Sequence, residues 1–255
     1  MIRTNDENRT ALITGGGKGV GAGIVKALAA RGIRCCINCH SHPDMAEDTL
    51  RAVTEAGSEG FVYQADVSDP EQLSRMVQAI IDRWGRLDIL VNNAAMQPNL
   101  FIDQYDAEKL KWLWNINIGG YFHAVRTCLP WLRQSPCGRI VNISSIHGKR
   151  PTGFDPGYAM TKGAIRMFTR ELALELFQDG ITVNAIDLGG CQIEFKTGNA
   201  PFGAVMPVDV RNPAGLGFRL TTPGDVGEMV CYLVSPEASA VTGDGIRLDK
   251  GLVLT

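Results

Sequence analysis

The sequence predicts an α/β fold, a single doubly wound parallel sheet of about seven strands with helices on both faces. Three observations predict it. Short, continuous apolar runs recur along the chain, as expected of strands covered on both sides. Amphipathic stretches with helical spacing lie between them. A glycine-rich turn joins the first apolar run to the first amphipathic stretch.

Ala11-Leu12-Ile13 opens the series, and after the glycine turn Ile24, Leu28 and Arg31 mark a helix. Cys35-Cys36-Ile37 and Phe61-Val62-Tyr63 are the next strands. Asp69-Pro70 then starts a helix with proline in its first turn, continued by Leu73, Val77, Ile80 and Ile81. Ile89-Leu90-Val91 is the fourth strand. Leu110, Leu113, Ile116 and Tyr121 begin a long helix. Ile140-Val141-Asn142-Ile143 precedes a helix carrying Ala164, Phe168, Leu172 and Leu176. Ile181-Thr182-Val183 and Gly245-Ile246-Arg247-Leu248 complete the strands. Right-handed crossovers follow from the alternation. The stretch 189–219 is the exception. It is rich in glycine and proline yet carries Ile193, Phe195, Phe202, Val205, Met206, Leu216 and Phe218, more apolar content than a solvated linker uses. It is expected to be a lid over the substrate.

At 255 residues, 45% hydrophobic and 20% charged, the chain suits one domain over 1–255 with a full core. A net charge of −2 gives no electrostatic reason to bind nucleic acid or an anionic membrane. No apolar run is long enough to span a bilayer, and the first nine residues lack the apolar core of a secretory signal, so a cytoplasmic location is expected. Seven cysteines, an odd count, argue against a disulfide framework. Cys35, Cys36 and Cys39 beside His40 and His42 raise the question of a metal site. Alternate strand residues face opposite ways, so Cys35 and Cys36 are read as buried apolar residues and no metal is expected.

The chemistry gathers around Tyr158 and Lys162. Spaced i and i+4 on a helix, they share a face. An ammonium beside a phenol lowers its pKa, which suits the phenol to proton transfer. Thirteen residues upstream, Ser144-Ser145 ends an apolar run. Near the N-terminus, Thr14-Gly15-Gly16-Gly17-Lys18-Gly19-Val20-Gly21 joins a strand to a helix. Glycines there permit a tight turn and close approach to a pyrophosphate, which the helix N-terminus attracts.

These motifs, with Asp66-Val67, Asn92-Asn93-Ala94-Ala95, Asn117 within Asn115-Ile116-Asn117-Ile118-Gly119-Gly120, and Thr242-Gly243…Asp249-Lys250-Gly251, resemble the short-chain dehydrogenase/reductase family. The resemblance runs from Ala11 to about Gly251, in one order. It implies a Rossmann-like domain and a nicotinamide cofactor held by Gly15, Lys18, Gly19, Val20, Gly21, His40, Ser41, Asp66, Val67, Asn93, Ala94, Tyr158, Lys162, Gly189 and Cys191. It implies catalysis by Asn117, Ser145, Tyr158 and Lys162. Tyr158 would be the acid/base, Ser145 would polarise the substrate oxygen, Lys162 would hold the nicotinamide ribose, and a helix kink at Asn117 would link Lys162 to solvent through water. The family's homo-oligomers, most often tetramers, pair through the two long helices beside the site, of which the first here carries Trp112, Trp114, Tyr121, Phe122 and Trp131.

Three residues depart from the family pattern. Ala95 stands for the usual glycine, Leu188 for proline and Ile193 for a threonine that holds the carboxamide, with Gln192 nearby as a substitute. At the end of the second strand the spacing places Cys39, not a carboxylate, followed by His40, Ser41 and His42. With Lys18, these donors favour NADP(H) over NAD(H), which remains usable. The expected function is NADP(H)-dependent interconversion of a secondary alcohol and a ketone. The rivals are an NAD-dependent sugar or polyol dehydrogenase and a non-catalytic dinucleotide sensor. His147, Met96, Gln97, Phe154 and Gly190 are the expected pocket residues.

Overall fold

Each apolar run becomes a strand of one parallel sheet. In the computed structural model, which describes residues 8–151, 153, 155–192 and 220–254, these are β1 (Thr10–Ile13), β2 (Arg34–Cys39), β3 (Gly60–Gln64), β4 (Ile89–Asn92), β5 (Arg139–Ser145), β6 (Thr182–Leu188) and β7 (Gly245–Leu248). Their order is β3-β2-β1-β4-β5-β6-β7. The chain therefore builds outward from β1 in one direction and from β4 in the other. The switch between β1 and β4 opens a crevice at the carboxyl ends of the strands, where ligands bind in sheets of this type.

The helices are α1 (Gly19–Ala29), α2 (Pro43–Glu55), α3 (Pro70–Trp84), α4 (Ala107–Trp114), α5 (Gly120–Leu132), α6 (Pro156–Glu175) and α7 (Pro223–Val234). They cover both faces. Ala11, Ile13, Cys35, Ile37, Val91 and Val141 pack with residues of α1, α2 and α7. Leu12, Cys36, Leu90, Ile140 and Val183 pack with α3, α5 and α6 on the other side. Period-two alternation thus sends Cys35 and Cys36 into opposite layers, as their spacing requires.

The expected α3 is sharply bounded. Asp69 accepts from the amides of Glu71 and Gln72, Pro70 follows, and Gly85 closes it in the left-handed conformation. Two helices, α2 and α7, stand beyond those that the apolar spacing predicts. Both carry start signals, Pro43 at the head of α2 and the capping box of Thr222 and Asp225 around Pro223 on α7. The expected long helix is continuous but contains a π-helical turn, Asn115–Gly119, between α4 and α5. Of the expected lid, 193–219 lies outside the described residues, as does the pocket candidate Phe154.

Candidate active site

The glycine turn is fastened to the strands on either side. The amides of Gly15 and Gly16 donate to the Asn38 side chain and carbonyl, at 3.1 and 2.8 Å. The Thr14 hydroxyl accepts from the amides of Asn93 (2.9 Å) and Ala94 (3.1 Å). The Asn93 amide group donates to the carbonyls of Thr14 and Gly15, both at 3.0 Å. Asn93, expected at the cofactor, therefore spends its side chain holding the turn. Gly15 and Gly19 have φ of 61° and 53°, a region that favours glycine. A Cβ at Gly21 would lie 2.1 Å from the Gly15 carbonyl oxygen. The N-cap of α1, Lys18, makes no side-chain cap, and the first turn carries no acid. The amides of that turn are thus left for an anion, which is the fit a dinucleotide pyrophosphate requires.

At the end of β2, Cys39 is buried, while Lys18, His40, Ser41 and His42 are exposed. Asp66 accepts from the amide and hydroxyl of Ser68, each at 2.8 Å, and its other oxygen lies 3.9 Å from His40 Nε2. Val67 is buried against Gly120. Burial pushes the Cys39 thiol up, and the carboxylates of Glu47 and Asp44 add to the rise. Those two acids of α2 bring negative charge to a corner that the sequence spacing left uncharged.

At the other end of the crevice, β5 delivers Ser145 and α6 delivers Tyr158 and Lys162. Ser145 lies close enough to the Tyr158 phenol to draw its pKa down. Lys162 is buried. Its Nζ donates to the Ile143 carbonyl (2.8 Å) and lies 5.5 Å from the Tyr158 ring centroid and 5.6 Å from that of Tyr121. The shared helical face is therefore as the i, i+4 spacing requires. The expected pKa coupling is not. Burial pushes the Tyr158 phenol above its ordinary value, the Asp155 carboxylate adds to the rise, and only Ser145 draws it down. Lys162 is itself pushed down to about 7 by burial. Desolvation dominates both shifts, although Tyr158 is half-buried where Lys162 is buried, because loss of water penalises each charged form. The His147 ring stands edge-on to the Tyr158 ring, 5.6 Å between centroids. Burial lowers its pKa and so favours a neutral imidazole; the Asp155 carboxylate opposes this, and the Lys162 ammonium adds to it.

Asn117 is buried in the π turn, where a kink of the long helix is expected, and makes no direct hydrogen bond to Lys162. Its side chain pairs both ways with the backbone of Met96 (2.8 and 2.9 Å) and donates to the Thr161 hydroxyl at 3.1 Å. It holds the segment after β4 against α6. The structure also adds residues that the motifs did not flag. Tyr121 donates to the same Ile143 carbonyl as Lys162, at 2.9 Å. Asp155 caps α6, a role that the Asp155-Pro156 pair signals in the same way as Asp69-Pro70. Beyond β6, Gly189 packs on Asp249, where a Cβ would lie 2.6 Å from the Asp249 Cβ. Cys191 forms a parallel bridge with Thr221. Ile193 lies outside the described residues.

A crevice at the topological switch, a glycine turn fitted to a pyrophosphate and a Ser–Tyr–Lys cluster together define a dinucleotide-dependent oxidoreductase fold. A protein-family model described as short chain dehydrogenase matches residues 9–200, and the chain belongs to that family. It is similar to 3beta-hydroxysteroid dehydrogenase 1 of Eggerthella lenta, 32% identical over 97% of this chain and 95% of that protein. It is equally similar to D-beta-hydroxybutyrate dehydrogenase of Rhizobium meliloti, 32% identical over 95% of this chain and 98% of that one. Among solved structures, a short chain dehydrogenase of Burkholderia cenocepacia in complex with NADP superposes with a TM-score of 0.85 at 26% identity, covering 97% and 98% of the two chains. The chain is thus an oxidoreductase of the CH–OH class. No helix among the described residues is long and apolar enough to cross a membrane.

Proposed function

We propose that the chain is one catalytic domain that interconverts a secondary alcohol and a ketone, with NADP(H) preferred and Tyr158 as acid/base. The observation that carries this is the convergence of Ser145, Tyr158 and Lys162 at the strand ends, with Ser145 beside the phenol and Lys162 Nζ 5.5 Å from its ring centroid. Ser145 and Tyr158 would both bond the substrate oxygen. The Ser145 hydroxyl polarises it, and the Tyr158 phenol gives or takes its proton. A high phenol pKa keeps that proton in place until charge develops on the substrate oxygen. Lys162 tethers α6 to β5 through Ile143 and would hold the ribose hydroxyls of a bound nicotinamide cofactor. A nicotinamide cofactor, when bound, supplies or accepts the hydride. The residues proposed to hold it are Gly15, Lys18, Gly19, Val20, Gly21, His40, Ser41, Asp66, Val67, Ala94, Gly189 and Cys191, with Asn93 supporting the turn from behind.

Lys18, His40, Ser41 and His42 support NADP(H), since a cation with hydroxyl and imidazole donors lies at the end of β2 and the spacing puts no carboxylate at Cys39. Glu47 and Asp44 favour the second reading, an NAD-dependent enzyme of the same family, because their charge opposes a 2′-phosphate. A cytoplasmic homotetramer is proposed on the family's habit and on the exposed apolar residues of α5 and α6. The test is a panel of ketones and secondary alcohols with each cofactor, run beside Tyr158→Phe. Turnover by the wild type alone supports the reading, and equal turnover by both proteins overturns it.

A further inference from the structure

Asp155 is a fully buried carboxylate in the left-handed conformation (φ 54°, ψ 61°), three residues before Tyr158. Non-glycine residues hold such a backbone only where their surroundings impose it. Here three donors do so. The Tyr158 amide donates to Oδ1 at 3.2 Å, the Asn99 amide to Oδ2 at 2.8 Å, and the Tyr105 hydroxyl closely to Oδ1. Asn99 is left-handed as well, at φ 56°. Burial, and then the carboxylate, push the Tyr105 phenol up, so Tyr105 is the donor. Its ring lies flush on α6, since a Cβ at Gly157 would sit 2.5 Å from Tyr105 Cζ.

These contacts join two stretches of chain. The segment 96–105 leaves β4 beside the site without regular strand or α-helix. Its start is tied to Asn117 through Met96, and Asn117 is tied to Thr161 of α6. Its end is tied to Asp155. Asp155 is thus a second fastening of that wall to α6, and it grips the helix one turn before Lys162, at the amide of Tyr158 itself.

We propose that Asp155 is a positioning residue for Tyr158, clamping the segment 96–105 through Tyr105 and Asn99 onto the first turn of α6. The proposal rests on the oxidoreductase reading above. A misplacement of about 1 Å at a reacting group lowers turnover by about a hundredfold, so the clamp has leverage without touching substrate.

The test uses the full chain and the variants Asp155→Ala, Asp155→Asn and Tyr105→Phe. Asparagine keeps an oxygen for Tyr105 and Tyr158 but turns an NH2 toward the Asn99 amide, so it restores part of the clamp. Asp155→Ala is expected to lower kcat by about tenfold to a hundredfold, with KM and cofactor affinity unchanged. Tyr105→Phe removes one hydroxyl, and its expected loss is about threefold to tenfold in kcat. Asp155→Asn should fall between wild type and Asp155→Ala. Hydrogen exchange should speed up at the amides of Asn99 and Tyr158 in Asp155→Ala. Tyr105→Phe keeps the proposal testable if alanine at 155 does not fold. Unchanged kcat in Tyr105→Phe and Asp155→Asn, or a loss confined to cofactor affinity, overturns it. Exchange needs no substrate, so unchanged exchange in Asp155→Ala overturns the clamp by itself. Absence of turnover in the wild type with every alcohol and ketone overturns the oxidoreductase reading, and the positioning role falls with it.

Discussion

Lys162 Nζ donates to the carbonyl oxygen of Ile143 at 2.8 Å, and that one bond sets the lysine of α6 against the strand that carries Ser145. The Tyr121 hydroxyl donates to the same oxygen at 2.9 Å, so α5, α6 and β5 meet at a single carbonyl. Burial makes this junction sensitive to charge.

Tyr158→Phe should nearly abolish turnover while cofactor binding persists, because only the transferable proton is removed. Loss of about 10²-fold or more is the expectation for a general acid/base. Single-turnover rates and cofactor fluorescence titration check it together.

Lys162 makes stability depend on pH. Its folded pKa is about 7, and an unfolded lysine titrates near about 10.4. Between those values the unfolded chain holds the extra proton, so stability rises with pH. Below the folded pKa both states carry the charge and the rise is absent. One proton corresponds to at most about 1.4 kcal/mol per pH unit. Urea unfolding of the cofactor-free protein across that window should show a shallower rise for Lys162→Met than for the wild type.

Gly21→Ala should weaken cofactor binding more than it weakens the fold. The new methyl would meet the Gly15 carbonyl at 2.1 Å, and that oxygen belongs to the turn proposed to cradle the pyrophosphate. Overpacking of this kind costs about 1–3 kcal/mol. Calorimetric titration with NADP, set beside the melting temperature, separates the two effects.

Cofactor choice should respond to the corner around Cys39. Lys18→Ala should weaken use of NADP and leave NAD almost unchanged, since a charge-assisted contact is worth about 1.5–3 kcal/mol, about tenfold to a hundredfold. Cys39→Asp should reverse the preference. Glu47→Gln should sharpen the preference for NADP by removing an opposing charge. The ratio of kcat/KM for the two cofactors is the measurement, and equal use of both by the wild type would show the reading wrong.

Assembly should depend on the outer faces of α5 and α6. Phe122 is 51% exposed and Met167 54% exposed, whereas Tyr121 is buried in its own protomer. Phe122→Glu combined with Met167→Glu should shift the sedimenting species to a smaller size. A wild type that sediments as a monomer would remove the homotetramer.

By itself the sequence determined the sheet, the glycine turn and the shared face of Tyr158 and Lys162. Those depend on local periodicity: alternation in a strand, 3.6 residues per turn in a helix, and the conformations that only glycine adopts readily. It named Ser145 and Asn117 through their resemblance to a family. Tertiary structure alone decided what these groups experience. Burial, which sums over neighbours from every element, pushed Tyr158 up and Lys162 down, where spacing along one helix predicted the phenol to fall. Asn117 turned to Met96 and Thr161 because the π turn and the segment 96–105 meet there, residues distant in sequence. Glu47 and Asp44 came to the Cys39 corner because α2 folds back over β2. Asp155 could be read as a helix cap from its neighbour Pro156, but its grip on Asn99 and Tyr105 joins positions about fifty residues apart. Local pattern carries no information about such a contact, because long-range pairing is decided by how the packed elements close on one another.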